Sequence, residues 1–519
     1  METAALLSLL LIILLPSSLF FLAFIFSSSA PPCKATTPTP CAHPIIGNLL
    51  ALLRNRHRFF DWVTDMLSAS PSNTINVRGP LFTTRGVCTA HPANVEHLLK
   101  SNFPNYVKGE RFYNVLSELL GRGIFNVDGQ LWSSQRKIAS YEFNTRSLKS
   151  FIADTVQVEI SHRLLPALAA ASDAGRIVDL QDILRRFSFD NICNLAFGDD
   201  PACLDPSDSR PQPPFVRAFD EAAEICSRRL LAATPWVWKA QRLLNIGAER
   251  RLKELIRIID EYAATIIESK SKNNPDLDLL SRFVSSDQDP IPQDPKQKHK
   301  FLRDIIVSFV LAGKDSTSTA LTWFFWLLST NPRCERRLYA EISEAMEEAG
   351  RKNGGRKTTL LEYEELKGLN YLHAAITESL RLYPPVPIDS RTAAKDDVLP
   401  DGTRVRAGWF ADYCAYAMGR MEKLWGKDCG EFVPERWLDE GGGGSGSFVG
   451  AEQFKLPVFH GGPRVCLGKE MAYVQMKSVA TAVIYGFEVE GVRKEMPRYL
   501  MTLTLKMLGG FPVRVMKRR

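Results

Sequence analysis

A single cysteine stands in the segment Phe459-His460-Gly461-Gly462-Pro463-Arg464-Val465-Cys466-Leu467-Gly468, and a helical pattern begins directly after it. Glycine allows tight turns and proline fixes a backbone angle, so the loop can fold closely around Cys466 with its N–H groups towards the sulfur. The start of the following helix adds a partial positive charge that favours a thiolate, which is a good soft ligand for iron. A buried, inert cysteine is the alternative that the segment alone leaves open.

Length and composition indicate an ordinary globular protein. The chain has 519 residues, of which 45% are hydrophobic and 24% are charged, so it can bury a large core without disulfides. Its ten cysteines are scattered without CxxC pairs, which predicts reduced thiols in a cytosol-facing protein. The net charge of +7 includes no Lys/Arg block long enough to indicate nucleic-acid binding, although a basic patch would suit acidic lipid or an acidic protein partner.

The N-terminal segment, residues 4–26, is apolar and uncharged. A helix of that length is sufficient to cross a bilayer. A cleaved signal peptide is the alternative, but no basic residue precedes the segment. We therefore predict a membrane anchor over residues 1–28, a proline-rich hinge over 29–44 and one folded domain over 45–519. Basic residues that follow the anchor, Lys34 first among them, place that domain in the cytosol.

One long helix is predicted over residues 301–330, because the pattern ends at Asn331-Pro332. Charges within and beside this run argue against a second membrane span. Its centre, residues 312–319, carries four hydroxyls and one carboxylate, and Gly313 leaves room for a small ligand against the backbone. A solvated kink is the alternative, since Ser and Thr can bond back to the preceding turn and bend a helix.

Short strands are predicted where Gly and Pro bound alternating residues. Residues 74–79 and 86–90 are expected to form a hairpin, and residues 405–416 a strand and hairpin. The rest of the chain is mostly helical in pattern, and this predicts a mainly α protein with small β-sheets.

Two helical stretches carry pairs of residues that share one helix face. Trp132 and Arg136 are four apart, and Glu378 and Arg381 are three apart. By themselves the pairs indicate only a cation lying on an aromatic ring and an ordinary surface ion pair.

The cysteine loop resembles a known family signature. Phe459, Gly462, Arg464, Cys466 and Gly468 match Phe-x-x-Gly-x-Arg-x-Cys-x-Gly of the cytochromes P-450, which are haem-thiolate monooxygenases. The resemblance implies the mainly helical cytochrome P-450 fold behind a single N-terminal transmembrane helix. It also implies that Cys466 is the axial ligand to the iron of haem b, where a thiolate pushes electron density onto iron and favours O–O cleavage.

Further residues receive roles from the same resemblance. Trp132 and Arg136 match a pair that donates hydrogen bonds to a haem propionate, and Arg391 falls where members place another propionate-binding arginine. The complete set implied for cofactor binding is Trp132, Arg136, Arg391, Phe459, Arg464, Cys466 and Gly468.

The polar centre of the long helix resembles the family's oxygen-side motif, Ala/Gly-Gly-x-Asp/Glu-Thr-Thr. Asp315, Ser316 and Thr317 would then supply the protons for oxygen activation. Serine stands at 316 where the family usually has threonine, so the hydroxyl is kept and the methyl group is lost.

A structural role is implied for Glu378, Arg381 and Arg436. The family joins a Glu-x-x-Arg pair to an arginine from a Pro-Glu-Arg-type loop, here residues 434–436, in one buried network. Such a network would lock the loop beneath the cysteine.

The activity implied is monooxygenation, in which one atom of O2 enters a substrate C–H bond and the other leaves as water. The chain has no flavin or nicotinamide motif, so electrons from NADPH would come through NADPH–cytochrome P-450 reductase. Lys469 and Lys477 could face the acidic surface of that partner, although a solvated helix face is equally consistent. The implied location is the endoplasmic reticulum membrane, with a single span and a cytosolic catalytic domain.

Residues 123–129, 189–193, 399–402 and 415–420 resemble plant fatty-acid ω-hydroxylases. This predicts an acyl-chain substrate oxidised at or near the ω carbon. An ω-hydroxylase of the hormone conjugate jasmonoyl-isoleucine is the first alternative, because both substrates are acyl chains with a carboxylate. A haem-thiolate isomerase of the allene-oxide type and a membrane-tethered haem carrier or sensor are two others.

Overall fold

The structure is a computed structural model that describes residues 43, 45–80, 84–204, 212–230, 232, 235–272, 278–287, 289–352, 354, 360–439, 446–493 and 495–518. The predicted anchor and hinge lie outside these residues, apart from His43. Among the described residues, no helix combines the length and the apolar character that crossing a membrane requires.

Helices make up most of the described chain. They are α1 (Leu49–Asn55), α2 (Phe59–Ala69), α3 (Pro92–Glu96), α4 (Gly109–Leu120), α5 (Gly129–Ser140), α6 (Thr145–Ser150), α7 (Gln157–Glu159), α8 (Leu165–Asp173), α9 (Leu180–Phe197), α10 (Pro214–Leu230), α11 (Pro235–Leu244), α12 (Gly247–Lys272), α13 (Leu279–Val284), α14 (Pro295–Val310), α15 (Ser316–Thr330), α16 (Pro332–Lys352), α17 (Tyr363–Gly368), α18 (Asn370–Leu382), α19 (Ala415–Met418), α20 (Glu422–Trp425) and α21 (Lys469–Gly486). Short π-helical segments are His97–Ser101, Phe151–Val156, Ile160–Leu164 and Leu311–Asp315, and short 3-10 segments are Arg56–Arg58, Phe103–Asn105, Pro434–Trp437, Pro457–Phe459 and Gly462–Arg464.

The strands form small sheets. They are β1 (Thr74–Arg78), β2 (Arg85–Thr89), β3 (Tyr106–Val107), β4 (Ile177–Asp179), β5 (Asp389–Ala393), β6 (Asp397–Val398), β7 (Arg404–Val405), β8 (Phe410–Tyr413), β9 (Phe487–Gly491), β10 (Tyr499–Met501), β11 (Leu505–Met507) and β12 (Pro512–Lys517). The largest described sheet has the order β1-β2-β8-β5-β3, and the others are β4-β12-β9, β10-β11 and β6-β7. The mainly α prediction with small sheets is therefore confirmed.

One predicted hairpin is confirmed and the other is wrong. Strands β1 and β2 pair antiparallel, with Thr74 opposite Thr89. Strands β7 and β8 do not pair with each other: β7 pairs with β6, whereas β8 lies parallel to β2 and antiparallel to β5. The sequence gives the local strand pattern, but the partner of a short strand is set by where the chain brings it in space.

The predicted long helix over residues 301–330 is present, but it begins six residues earlier, at Pro295, and its geometry changes at the polar centre. Asp294 begins α14 by accepting the backbone N–H of Gln297, and Pro295 occupies its first position. The π-helical turn Leu311–Asp315 then links α14 to α15. Such turns interrupt α-helices frequently at functional sites.

The side of Gly313 that would carry a side chain faces the helix α9, although the residue also lines a cavity. A Cβ built on it would lie 2.4 Å from a carbon of Ile192, so a side chain here would displace α9. The glycine therefore allows close packing of two helices at the π-helical turn.

A buried ion-pair network holds the region that leads into the cysteine loop. Glu378 and Arg381 are both 0% exposed, and Arg381 donates two hydrogen bonds of 2.7 and 2.8 Å to the carboxylate. Arg381 also donates to the carbonyls of Cys429 and Glu431 at 2.6 and 2.9 Å. Arg436 lies 3.4 Å from Glu378, so the structure brings together the three residues singled out in the sequence.

Replacing Arg381 with Met should destabilise the protein by about 3–5 kcal/mol, because Glu378 would keep its charge in a buried site without its main partner. The matched control is Arg257→Met, which removes an exposed i,i+4 pair with Glu261 and should cost less than about 1 kcal/mol. Urea unfolding followed by circular dichroism measures both. Equal midpoints for the two variants would contradict a structural role for the network.

Candidate active site

The cysteine loop and the centre of the long helix line one cavity of about 400 Å³. Residues 465–468 of the loop form part of its wall, and residues 311–313, 316 and 317 of the helix form another part. A sulfur ligand and a hydroxyl-bearing helix thus share one enclosed space, although 149 positions separate Thr317 from Cys466 in the chain.

The cysteine loop is held by backbone contacts. The N–H of Cys466 donates to the carbonyl of Phe459 at 2.9 Å, and Arg136 donates to the carbonyl of Val465 at 2.6 Å. Gly462 has φ +60°, and a Cβ there would lie 1.9 Å from the carbonyl oxygen of Leu99. The signature glycine is therefore required both by its backbone angle and by the close approach of a neighbouring segment.

Burial raises the pKa of the Cys466 thiol, while a backbone hydrogen bond from Gly468 and the charges of Arg136 and Lys469 oppose that rise. The loop contacts favour a thiolate as the sequence indicated, but burial outweighs them. A bound cation deprotonates a coordinating thiol outright. Thiolate character at Cys466 would consequently depend on a bound metal ion.

One wall of the cavity carries more positive charge than its acidic neighbours neutralise. Arg391 is 1% exposed, and its Nε has no hydrogen-bond partner among the described residues. Burial, reinforced by the charge of Arg391, lowers the pKa of Lys108 to about 7 and that of Arg464 to about 10. Desolvated cations with an unused donor favour an anionic ligand.

The predicted haem contacts all line this cavity. They are Trp132, Arg136, Arg391, Phe459, Arg464, Cys466 and Gly468. Arg136 and Arg464 lie 5.9 and 4.5 Å from the ring centre of Trp132. The sulfur, the cationic wall and the apolar remainder fit haem b, whose iron would be held by Cys466 and whose propionates would meet Arg136 and Arg391.

Ser316 and Thr317 reach the cavity, and Asp315 does not. The hydroxyl of Ser316 donates to the carbonyl of Ala312 at 2.5 Å, across the π-helical turn. Thr317 is 5% exposed and lines the same wall. Both residues can therefore contact a ligand, although the Ser316 proton is bound to Ala312; parts for Asp315, Ser316 and Thr317 in proton transfer stay predictions.

Asp315 belongs to a buried ion cluster. Its carboxylate lies 2.5 Å from Lys314 and 3.2 Å from Lys506. Both lysines also contact Asp220 of α10, at 2.8 and 2.9 Å, and Arg185 pairs with Asp220 as well. Burial alone would raise the pKa of Asp315, but the charges of Lys314 and Lys506 outweigh it and hold that pKa below its usual value.

The structure separates the two lysines proposed to face a reductase. Lys469 is exposed at the start of α21. Lys477 is 3% exposed, and its ammonium donates to the carbonyls of Leu366 and Leu369 at 2.7 and 3.1 Å. A surface role for Lys477 was therefore wrong, because carbonyls at the C-terminal end of α17 bind its charge inside the protein.

Sequence reasoning missed Lys108, Asp389 and His460. Lys108 Nζ lies 2.7 Å from Asp389, which lies 3.8 Å from His460 Nδ1. Asp389 stands two positions before Arg391, with which it forms an ion pair of 2.8 Å, and this spacing of opposite charges is a signal that the sequence offered. Nothing in the sequence places Lys108, 281 positions earlier, beside that strand.

A cysteine held beneath a hydroxyl-bearing helix, beside a pocket for an anionic group, is the site of a haem-thiolate protein. The Cytochrome P450 family model matches residues 37–509. The chain therefore belongs to the cytochrome P450 family of haem monooxygenases, whose members take electrons from a redox partner.

The chain is similar to plant members of the family along nearly its whole length. It is 45% identical to cytochrome P450 94A2 of Vicia sativa, covering 94% of this chain and 93% of the relative. It is 47% identical to cytochrome P450 CYP94D108 of Paris polyphylla over 90% of each chain. It is 43% identical to cytochrome P450 94B1 of Arabidopsis thaliana, covering 95% of this chain and 94% of the relative.

Cys466→Ser should abolish the far-shifted Soret band that a thiolate-ligated haem gives after reduction and exposure to carbon monoxide. The hydroxyl of serine is a much weaker ligand, because it stays protonated at neutral pH. Cys429→Ser is the control, since Cys429 is a partly buried free thiol outside the cavity lining. Retention of the band in Cys466→Ser would rule out Cys466 as the ligand.

Proposed function

We propose that this cytochrome P450 hydroxylates fatty acids at or near the ω carbon. It would use O2 and electrons that NADPH–cytochrome P-450 reductase takes from NADPH. The anchor over residues 1–28 would hold the enzyme on the cytosolic face of the endoplasmic reticulum membrane. The proposal rests on the apolar cavity beside Cys466, together with the resemblance of four sequence segments to plant fatty-acid ω-hydroxylases.

The lining of the cavity suits an acyl chain. Most of its exposed wall is apolar, with aromatic and aliphatic side chains from several helices and from the segment between β10 and β11. These side chains include Phe112, Leu116, Leu120, Phe125, Phe309, Ile388 and Leu503. Burying methylene groups against such a surface is favourable by about 0.8 kcal/mol each, so a long chain can be bound without many polar contacts.

When bound, the haem supplies the family's chemistry, in which one atom of O2 enters a C–H bond and the other leaves as water. The protein's part is to orient the chain, exclude water and deliver protons. Ser316 and Thr317 stand on the cavity wall; Thr317 can donate a hydrogen bond there, and Ser316 can do so only by releasing the carbonyl of Ala312. Lys314 and Lys506 hold Asp315 ionised behind the helix, where it can relay protons only by a rearrangement or through water.

Electron transfer requires an exposed approach to the cysteine side. Lys469 is exposed three residues after Cys466 and would meet an acidic reductase surface. Its contribution should fall as salt is raised, because exposed ion pairs are screened.

Ser316→Ala should raise the hydrogen peroxide released per NADPH consumed, because the variant lacks a hydroxyl at the oxygen side of the cavity. Ser318→Ala is the control, since the Ser318 hydroxyl donates to the carbonyl of Lys314 at 2.6 Å and does not line the cavity. Peroxide and NADPH are measured together during turnover. Equal coupling in the two variants would count against Ser316 as a proton donor.

The function is tested by expressing the chain in microsomes with the reductase and supplying lauric acid, oleic acid or jasmonoyl-isoleucine. We expect NADPH-dependent ω-hydroxylated fatty acids, identified by mass spectrometry. Exclusive oxidation of jasmonoyl-isoleucine would replace the proposal with hormone oxidation. Product formation without NADPH would indicate a haem-thiolate isomerase, and absence of turnover with every acyl substrate would favour a haem carrier or sensor.

A further inference from the structure

Cationic residues line the cavity at five positions, namely Lys108, Arg111, Arg136, Arg391 and Arg464. Three of the five have a carboxylate partner. Asp389 lies 2.7 Å from Lys108 and 2.8 Å from Arg391, and Asp128 lies 2.8 Å from Arg464. The charges of these three are therefore partly offset within the protein itself.

Arg111 and Arg136 have no carboxylate within 4.0 Å among the described residues. Arg136 contacts the carbonyl of Val465, next to Cys466, and so belongs to the haem pocket. Arg111 makes no such contact with the cysteine loop. It is therefore a cavity cation with neither a carboxylate in ion-pair contact among the described residues nor a contact with the cysteine loop, although the acid Asp412 lies nearby.

The Arg111 side chain is held in place from behind. Its guanidinium carbon lies 4.5 Å from the ring centre of Phe410, and Nη1 donates to the hydroxyl of Ser390 at 3.0 Å. Ser390 in turn donates to Asp412 at 2.6 Å. An arginine has five N–H donors, so this arrangement orients the group while most of its donors stay available to a ligand.

The alternation of strand β5 separates Arg111 from the propionate pocket. Successive side chains of a strand point to opposite faces. Asp389 and Arg391 share the face that meets His460 of the cysteine loop, with Asp389 3.8 Å from its Nδ1. Ser390 points the other way, and it is the residue that Arg111 contacts.

We propose that Arg111 binds the carboxylate of the acyl substrate and thereby directs the opposite end of the chain towards Cys466. This rests on the proposed function, and it assigns the substrate's charged end to one residue. An arginine fork matches a carboxylate with two parallel hydrogen bonds, which fixes direction as well as position. A substrate charged at one end and apolar at the other is then bound in a single orientation, with its ω carbon at the site of oxidation.

Asp412 is the acidic group beside this site. Burial raises the pKa of Asp412 to about 6, and the charge of Arg111 opposes the rise. Its carboxylate contacts Ser390 rather than forming an ion pair with Arg111, so the guanidinium is not already occupied. A second carboxylate nearby would favour the protonated form of Asp412 and so reduce the repulsion between the two acids.

The test uses purified holoenzyme and two ligands that differ in charge, lauric acid and its neutral methyl ester. Dissociation constants are measured from the Soret shift on substrate binding, for wild type, Arg111→Met, Arg111→Lys and Arg122→Met. Arg122 is the matched control, because it follows the same helix on the exposed surface and does not line the cavity. The carbon monoxide spectrum verifies that each variant holds its haem.

We expect Arg111→Met to raise the Kd for laurate about ten- to a hundredfold and to leave that for methyl laurate within about twofold. Arg111→Lys should keep part of the preference for the acid, since it retains the charge without the fork. Arg122→Met should match wild type. In turnover, Arg111→Met should also spread hydroxylation over more carbon positions, a readout that simple loss of stability would not produce.

Two outcomes would overturn the assignment, and they are distinguishable. If wild type hydroxylates laurate and Arg111→Met keeps the same preference for acid over ester, the fatty-acid function stands and Arg111 is not its anchor. If wild type neither binds nor oxidises laurate or other fatty acids, the proposed function fails and the assignment fails with it.

Discussion

The fully buried ion pair between Glu378 and Arg381 fixes the part of the chain that carries the active-site cysteine. The arginine joins its own helix α18 to the carbonyls of Cys429 and Glu431, and the carboxylate also accepts hydrogen bonds from Val433 N–H and Trp437 Nε1. A buried pair of this kind adds little net stability over an apolar alternative, but losing one partner is expensive. The constraint is therefore one of geometry, because these hydrogen bonds tie the chain between α18 and the cysteine loop to the buried ion pair.

Charge is distributed unevenly around the cavity, so that one side suits an anionic group and the other an apolar chain. The cysteine side carries buried cations that suit propionates, while the opposite wall is apolar with two hydroxyls. The acid of the long helix is withdrawn behind it and paired with Lys314 and Lys506. An apolar substrate chain thus meets few polar groups along this wall. The charged groups lie on the cysteine side, where anionic propionates would bind.

The long helix meets two structural requirements at its centre that a regular α-helix would not satisfy together. It must pack against α9 closely enough that Gly313 cannot carry a side chain beside Ile192, and it must present hydroxyls to the cavity. The π-helical turn Leu311–Asp315 reconciles these demands by changing the rotation of the helix over one turn. Ser316 then bonds back to the carbonyl of Ala312, which satisfies a group that the altered turn leaves available.

The sequence by itself determined the mainly α fold class, the cysteine loop and most of the long helix, whose start at Pro295 it placed six residues too late; the residues expected to bind haem came from the family resemblance. The fold class, the loop and the helix are encoded locally, in glycine and proline spacing and in helical periodicity. Only the tertiary structure decided that β8 joins β2 and β5, that Lys477 is buried, that Asp315 is turned away from the cavity and that Lys108 and Arg111 reach it. Each of these depends on contacts between residues far apart in the chain. Burial decides how strongly a charge or hydrogen bond in such a contact acts. A local sequence pattern does not specify which distant residue a buried group will contact.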